Sequence, residues 1–193
     1  MAFGPQLAQM LEADYSVIAK SGQGVVQNYA ERWPYKGVHA ADSYLWTFFS
    51  NEFNPENPIW DTSRFPVDAV ILSIGSNDFA GETIPPTKQQ FQEGYLKLIE
   101  TIRSKNPGKP IICTDPATGI GGAKALEWIR QVVEKMNEHG DPDIHFIPIN
   151  DGGSLLQPED LASTHGHPTK YGARKLALYL KDKVAEILGW DFS

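Results

Sequence analysis

One cysteine, Cys113, stands in 193 residues. A single thiol excludes an internal disulfide framework and any zinc site built on several thiolates. No apolar run approaches the ~18 residues that a membrane-spanning helix needs. Basic residues are few, with 17 Lys and Arg against 24 Asp and Glu, for a formal net charge of −7. An acidic chain without a basic run is a poor nucleic-acid binder, because neutralised phosphates carry most of that affinity. The first residues, Met1-Ala2-Phe3-Gly4-Pro5, have no basic segment followed by an apolar one, so no signal peptide is visible. Repeats, low-complexity tracts and linker-like stretches are missing too. What is present, 41% hydrophobic and 21% charged residues, is a globular composition at the length of one domain.

Short β-rich runs alternate with longer helical periods, the signature of a parallel α/β sheet. Four runs read as strands: 15–19, 67–74, 110–114 and 144–149. The second is almost continuously apolar, which predicts burial on both faces. Pro148 cannot donate a ladder hydrogen bond, so the fourth is expected at an edge. Helices are expected over 3–12, 88–104, 123–139 and 168–188. The second opens on a capping box of Thr87 with Gln90. The third stops at Gly140 and the fourth at Gly189, with Pro168 expected as the first helical residue of the fourth. Segment 30–66 is different: it is rich in aromatics, proline and asparagine, as irregular crossovers that shape clefts often are.

Ligands of open α/β sheets bind at the carboxyl ends of the strands. After the first strand comes Lys20-Ser21-Gly22-Gln23-Gly24, where glycine lets a backbone N–H approach a ligand. After the second comes Gly75-Ser76-Asn77-Asp78-Phe79. Asn77 can offer its amide N–H to an oxyanion, and Asp78 can cap the next turn or hold the loop. An Asx turn is the plainer reading of the same residues. Beyond the fourth strand comes Ser163-Thr164-His165-Gly166-His167-Pro168-Thr169. His167 immediately precedes a helix, whose positive end disfavours imidazolium and keeps a base neutral. His165 and His167 lack a third ligand at usable spacing for a metal. A backbone donor, a side-chain amide and a base are the equipment of acyl transfer, short of a nucleophile.

In these residues the chain resembles the SGNH (GDSL-type) hydrolases, and most closely the acetyl esterases of carbohydrate esterase family 2. The likeness is carried by residues 13–24, Gln27-Asn28-Tyr29, 60–68, Ile74-Gly75-Ser76-Asn77-Asp78-Phe79 and His167-Pro168-Thr169, with Gly172 and Lys175 beyond. The resemblance implies a three-layer α/β sandwich with a mostly parallel, flavodoxin-like sheet. It implies Gly22 and Asn77 as oxyanion-hole donors and His167 as general base. It implies no cofactor or metal, a small acyl ester or acetylated saccharide as partner, and an exported bacterial enzyme.

The sequence departs from that pattern in two places. The family's nucleophile is the serine of a Gly-Asp-Ser block on a central first strand. The present sequence begins after that block, and no Gly-Asp-Ser occurs in it. The small β domain that usually precedes the hydrolase domain is likewise missing. The family also sets an aspartate two or three residues before the base, where this chain has His165 and Thr164. Asp160, Glu159 and Asp151 are the alternative acids, and a dyad with a backbone carbonyl is a further one. Ser21, Ser76 and Ser154 are the alternative nucleophiles. Trp33, Tyr35 and Trp60 are candidates for stacking on sugar rings. Without the central strand, the four remaining strands are expected to close up into one sheet. Helices 88–104 and 123–139 then cover one face, and the first and last helices cover the other. Apolar surface left over predicts a homo-oligomer. Three functions remain open: an acetyl esterase, a saccharide-binding remnant without turnover, and a piece of a longer enzyme.

Overall fold

The computed structural model describes residues 2–46, 58–162 and 166–191. Element order is α1 (Phe3–Met10), α2 (Ala40–Ser43), β1 (Val70–Ser73), α3 (Lys88–Lys105), β2 (Ile111–Thr114), α4 (Gly122–Glu138), β3 (Ile144–Ile147) and α5 (Lys170–Leu188). The strands form one parallel sheet in the order β1-β2-β3. Val70 pairs with Ile111, and Ile111 with Ile144.

Strand β2 is central and fully buried, and its side chains alternate between the two faces. Ile111 and Cys113 join a core with Phe91, Tyr95, Ile99 and Ile102 of α3 and with Ile129, Val132 and Val133 of α4. Ile112 points the other way, into a core with Leu7 and Leu11 from the first helix and with Ala177, Leu180 and Val184 of α5. The expected division of helices between the faces therefore holds. It makes three layers, each face of the sheet sealed by a helix pair. Near the carboxyl ends of the strands, Phe79, Phe91 and Trp128 meet with ring centroids 5.4–5.8 Å apart.

Helix ends follow local chemistry. The Thr87 hydroxyl accepts from the Gln90 N–H, and the Thr87 N–H donates to the Gln90 side chain. Helix α5 begins at Lys170 rather than at Pro168. The Thr169 hydroxyl accepts from the Gly172 N–H and so makes Thr169 the N-cap, leaving Pro168 outside the helix in a bridge with Leu161.

Two expectations about strands fail together. Residues 15–19 form no strand, and among the described residues the sheet has three strands rather than four. Among the described residues no backbone hydrogen bond joins that run to β1. Its apolar side chains are open to water, with Tyr15 51%, Val17 58% and Ile18 46% exposed. Strand structure exists only where a neighbour takes the backbone donors and acceptors, and the run has no such neighbour among the described residues. For the same reason β1 is half-buried along its length and not enclosed on both faces. Strand β3 occupies the other edge of the described sheet, and Pro148 follows its last residue.

Candidate active site

The turn after β1 organises the carboxyl end of the sheet. Asn77–Phe79 form one turn of 3-10 helix. The Asn77 side-chain amide donates to the Gln23 carbonyl at 2.8 Å. Asp78 is 1% exposed, and its carboxylate accepts three backbone N–H groups: Val25 at 2.8 Å, Val26 at 2.8 Å and Gln27 at 3.0 Å. Two consecutive side chains thus hold loop 22–28 against the strand end. Burial pushes the Asp78 carboxyl up to about 6, against the opposing pull of those three N–H groups.

Glycine at position 24 is dictated by this close approach. A Cβ there would stand 1.9 Å from the Gln27 carbonyl oxygen and 2.8 Å from the Asp78 carboxylate. Further polar bonds brace the same loop. The Gln23 amide donates to the Ser43 hydroxyl at 2.8 Å, and the Gln27 amide donates to the Glu31 carbonyl and the Thr83 hydroxyl.

In this frame Gly22 has φ +76°, and its carbonyl accepts from the Tyr29 N–H at 2.8 Å. The Gly22 N–H has no acceptor among the described residues. Asn77 uses one amide hydrogen on Gln23 and keeps a second. The Asn77 amide is thus bonded to Gln23, the residue that follows Gly22 in the chain.

His167 reaches its place differently. Its carbonyl accepts from the Ala162 N–H at 2.8 Å, beside the Leu161–Pro168 bridge. The side chain is exposed and makes no hydrogen bond with a described residue. Residues 163–165, which include the His165 and Thr164 of the acid position, lie outside the described residues. Asp160 is bonded elsewhere: its carboxylate accepts from Lys175 Nζ at 2.8 Å and from the Gln157 N–H. The Lys175 bond, with the Gln157 bond second, holds that carboxyl below the usual range. Asp151 pairs with Arg130 at 3.0 Å, and Glu159 is exposed. Among the candidate nucleophiles, Ser21 is exposed, and the Ser154 hydroxyl donates to the Leu156 carbonyl. No described serine is hydrogen-bonded to His167.

The aromatic candidates stand at the surface. Trp33 is 69% exposed, and the Tyr35 ring meets it edge-on at 5.2 Å. Trp60 is partly exposed, with the Arg64 guanidinium 5.8 Å above its ring. The loop that carries Trp33 and Tyr35 closes on Glu31, a residue without any signal in the sequence pattern. Its carboxylate accepts from the N–H groups of Asn28, Lys36 and Gly37 and bonds the His39 ring at 2.9 Å. Partial burial raises the Glu31 carboxyl, but the Asn28 N–H, the His39 ring and the Gly37 N–H outweigh it and leave the net shift downward. Among the described residues no cluster of His, Cys, Asp and Glu is arranged to hold a metal ion. No described helix is long and apolar enough to cross a membrane.

Residues 1–175 match the GDSL-like lipase/acylhydrolase family, and the chain belongs to it. The cellulase/esterase CelE of Acetivibrio thermocellus is 28% identical over 98% of this chain, which covers 22% of that protein. An acetylxylan esterase/glucomannan deacetylase of Cellvibrio japonicus is 22% identical over 98% of this chain and 49% of its own length. The chain thus spans between about a fifth and a half of these relatives. Among solved structures, a family two carbohydrate esterase from Clostridium thermocellum in complex with cellohexaose superposes with a TM-score of 0.81. It is 24% identical, over 98% of this chain and 55% of that one. An acetyl xylan esterase from the rumen bacterium Butyrivibrio proteoclasticus gives 0.77 at 22% identity, over 99% of this chain and 56% of that one. At this identity the superpositions establish the fold, which is that of these carbohydrate esterases.

Proposed function

We propose that the chain carries the oxyanion-binding and general-base parts of a serine esterase that removes acetyl or other short acyl groups from saccharides. The observation that carries this reading is the Asn77–Gln23 bond next to Gly22, after the end of β1, in a chain matched to an acylhydrolase family over residues 1–175. In the reaction, His167 takes the proton of a serine hydroxyl as its oxygen attacks the ester carbonyl. The tetrahedral oxyanion forms against the Gly22 N–H and the second Asn77 amide hydrogen. Collapse expels the sugar alcohol, which receives the proton from His167. Water then repeats the cycle on the acyl-enzyme and releases the acid.

The attacking serine is best supplied by an extended segment seated on the open edge of β1. That edge is half-buried and has no strand partner among the described residues. Ser21, Ser76 and Ser154 remain the candidates inside the chain. The saccharide part of the substrate is assigned to Trp33 and Tyr35, whose exposed rings suit stacking on a sugar face. Hydrolysis of a small acetyl ester that collapses in His167→Ala supports the esterase. Undiminished turnover in that variant removes it.

A second reading, a saccharide-binding unit without turnover, is favoured by the same exposed Trp33. Retention of an acetylated oligosaccharide with no release of acetate supports that reading over the first.

A further inference from the structure

Asp78 is a buried acid whose role the acyl-transfer scheme leaves unassigned. Three backbone N–H groups converge on it, two on Oδ1 from Val26 and Gln27 and one on Oδ2 from Val25. Only a carboxylate satisfies that arrangement. An amide would offer a single acceptor oxygen and turn its NH2 group toward another N–H. The neighbouring residue, Asn77, bonds Gln23 of the same loop. One turn of 3-10 helix therefore sets the positions of residues 23 to 27, and Gly22 follows from them. The glycine at position 24 exists to let the loop approach the acid this closely.

We propose that Asp78 is the positioning residue of the oxyanion loop: its carboxylate, by holding the Val25, Val26 and Gln27 N–H groups, fixes where the Gly22 N–H and the Asn77 amide stand. The proposal rests on the reading of Gly22 and Asn77 as oxyanion donors.

A protonation dependence follows. The proton goes to Oδ2, which accepts one bond, and leaves Oδ1 with its two. The Val25 N–H is released first, and the loop relaxes on the Gly22 side. Burial places this event at a pH of about 6. The ionisable groups facing the site are those of the neighbouring loop: Tyr35, whose phenol is raised by burial and then by the charges of Asp78 and Glu31, and the bonded pair Glu31 and His39. Loop 22–28 and the rest of the 77–79 turn contain no ionisable side chain.

The test is a pH series of amide NMR spectra on the full chain, with Asp78→Asn as the control. In the wild type, the Gly22, Val25, Val26 and Gln27 amides are expected to titrate together with a midpoint near 6. In the variant that titration disappears. Hydrogen-exchange protection at Val25 falls at least about tenfold in the variant, while Ile112 and Cys113 of β2 keep theirs. A Gly22 signal that stays flat from pH 4.5 to 8, or that titrates equally in the variant, overturns the proposal. The wild-type series alone decides the matter if Asp78→Asn does not fold. On an acetyl ester, the variant is expected to lower kcat by about tenfold or more, with KM within about twofold. An active wild type whose kcat is unmoved by the substitution also overturns it. A wild type that shows the titration but no turnover refutes the esterase reading and supports the clamp.

Discussion

Protonation of Asp78 has a direction and a size that denaturation can read. An unfolded aspartate titrates near 3.9, and burial raises Asp78 to about 6 in the fold. Between those values the folded chain holds a proton that the unfolded chain has released. Stability contributed by this group is therefore fully present below about pH 4 and is lost as the pH rises through 6. A shift of about two units corresponds to about 3 kcal/mol. Asp78 is almost wholly buried, so solvent screening leaves that order of magnitude standing. Urea unfolding of the wild type and of Asp78→Asn, each from pH 4 to 7, isolates the term, because the other ionisable groups cancel in the difference. The wild type is expected to lose about 3 kcal/mol relative to the variant across that range. A difference that stays constant, or that moves in favour of the wild type, refutes the reasoning. The latter result would mean that the three N–H bonds outweigh the loss of hydration. The reading also implies a conflict of interest within the fold, since the ionised form that grips the loop is the one that weakens the whole.

Other expectations are quickly stated. Gly24→Ala forces a methyl to within 1.9 Å of the Gln27 carbonyl, so the loop must move off Asp78. A loss of at least about 2 kcal/mol in urea unfolding is expected, and a loss under about 0.5 kcal/mol would contradict the close approach. Phe91 is fully buried among Phe79, Tyr95 and Trp128, and Phe91→Ala should lower stability by about 3–5 kcal/mol by the same assay. Thr87→Ala removes the cap of α3 and should lower it by about 1 kcal/mol. Trp33→Ala should leave the thermal midpoint within a degree or two, because the ring is largely exposed, while oligosaccharide affinity in calorimetry falls about tenfold. An unchanged affinity would remove Trp33 from the saccharide site.

The layers were legible because helical and strand periods act locally. The stripe Phe91, Tyr95, Leu98, Ile99 and Ile102 predicts its own burial, and Gly140 and Gly189 mark real helix ends. Residues 15–19 misled for a physical reason. Their β propensity is genuine, but a ladder needs a second backbone, and pattern reading cannot see whether one is present. Pro168 misled because the Thr169 hydroxyl, one residue on, competes for the cap. At the proposed site, Asn77 follows β1 as its motif predicts and bonds Gln23, whereas Gly22 follows no strand, because residues 15–19 do not form one. Asp78 holds a loop, one of the two roles its motif suggests, but which loop is not visible in the sequence, because its three donors come from residues about fifty positions away. Glu31 had no signal at all, because its partners are backbone groups that any sequence supplies.

The account's central claim, a His167-driven acyl transfer against the Gly22 and Asn77 donors, is tested most directly with a serine-reactive fluorophosphonate, read by intact mass and peptide mapping. The account predicts one adduct on one serine, lost in His167→Ala. A folded protein that takes up no label, or one that labels equally well without His167, would contradict it.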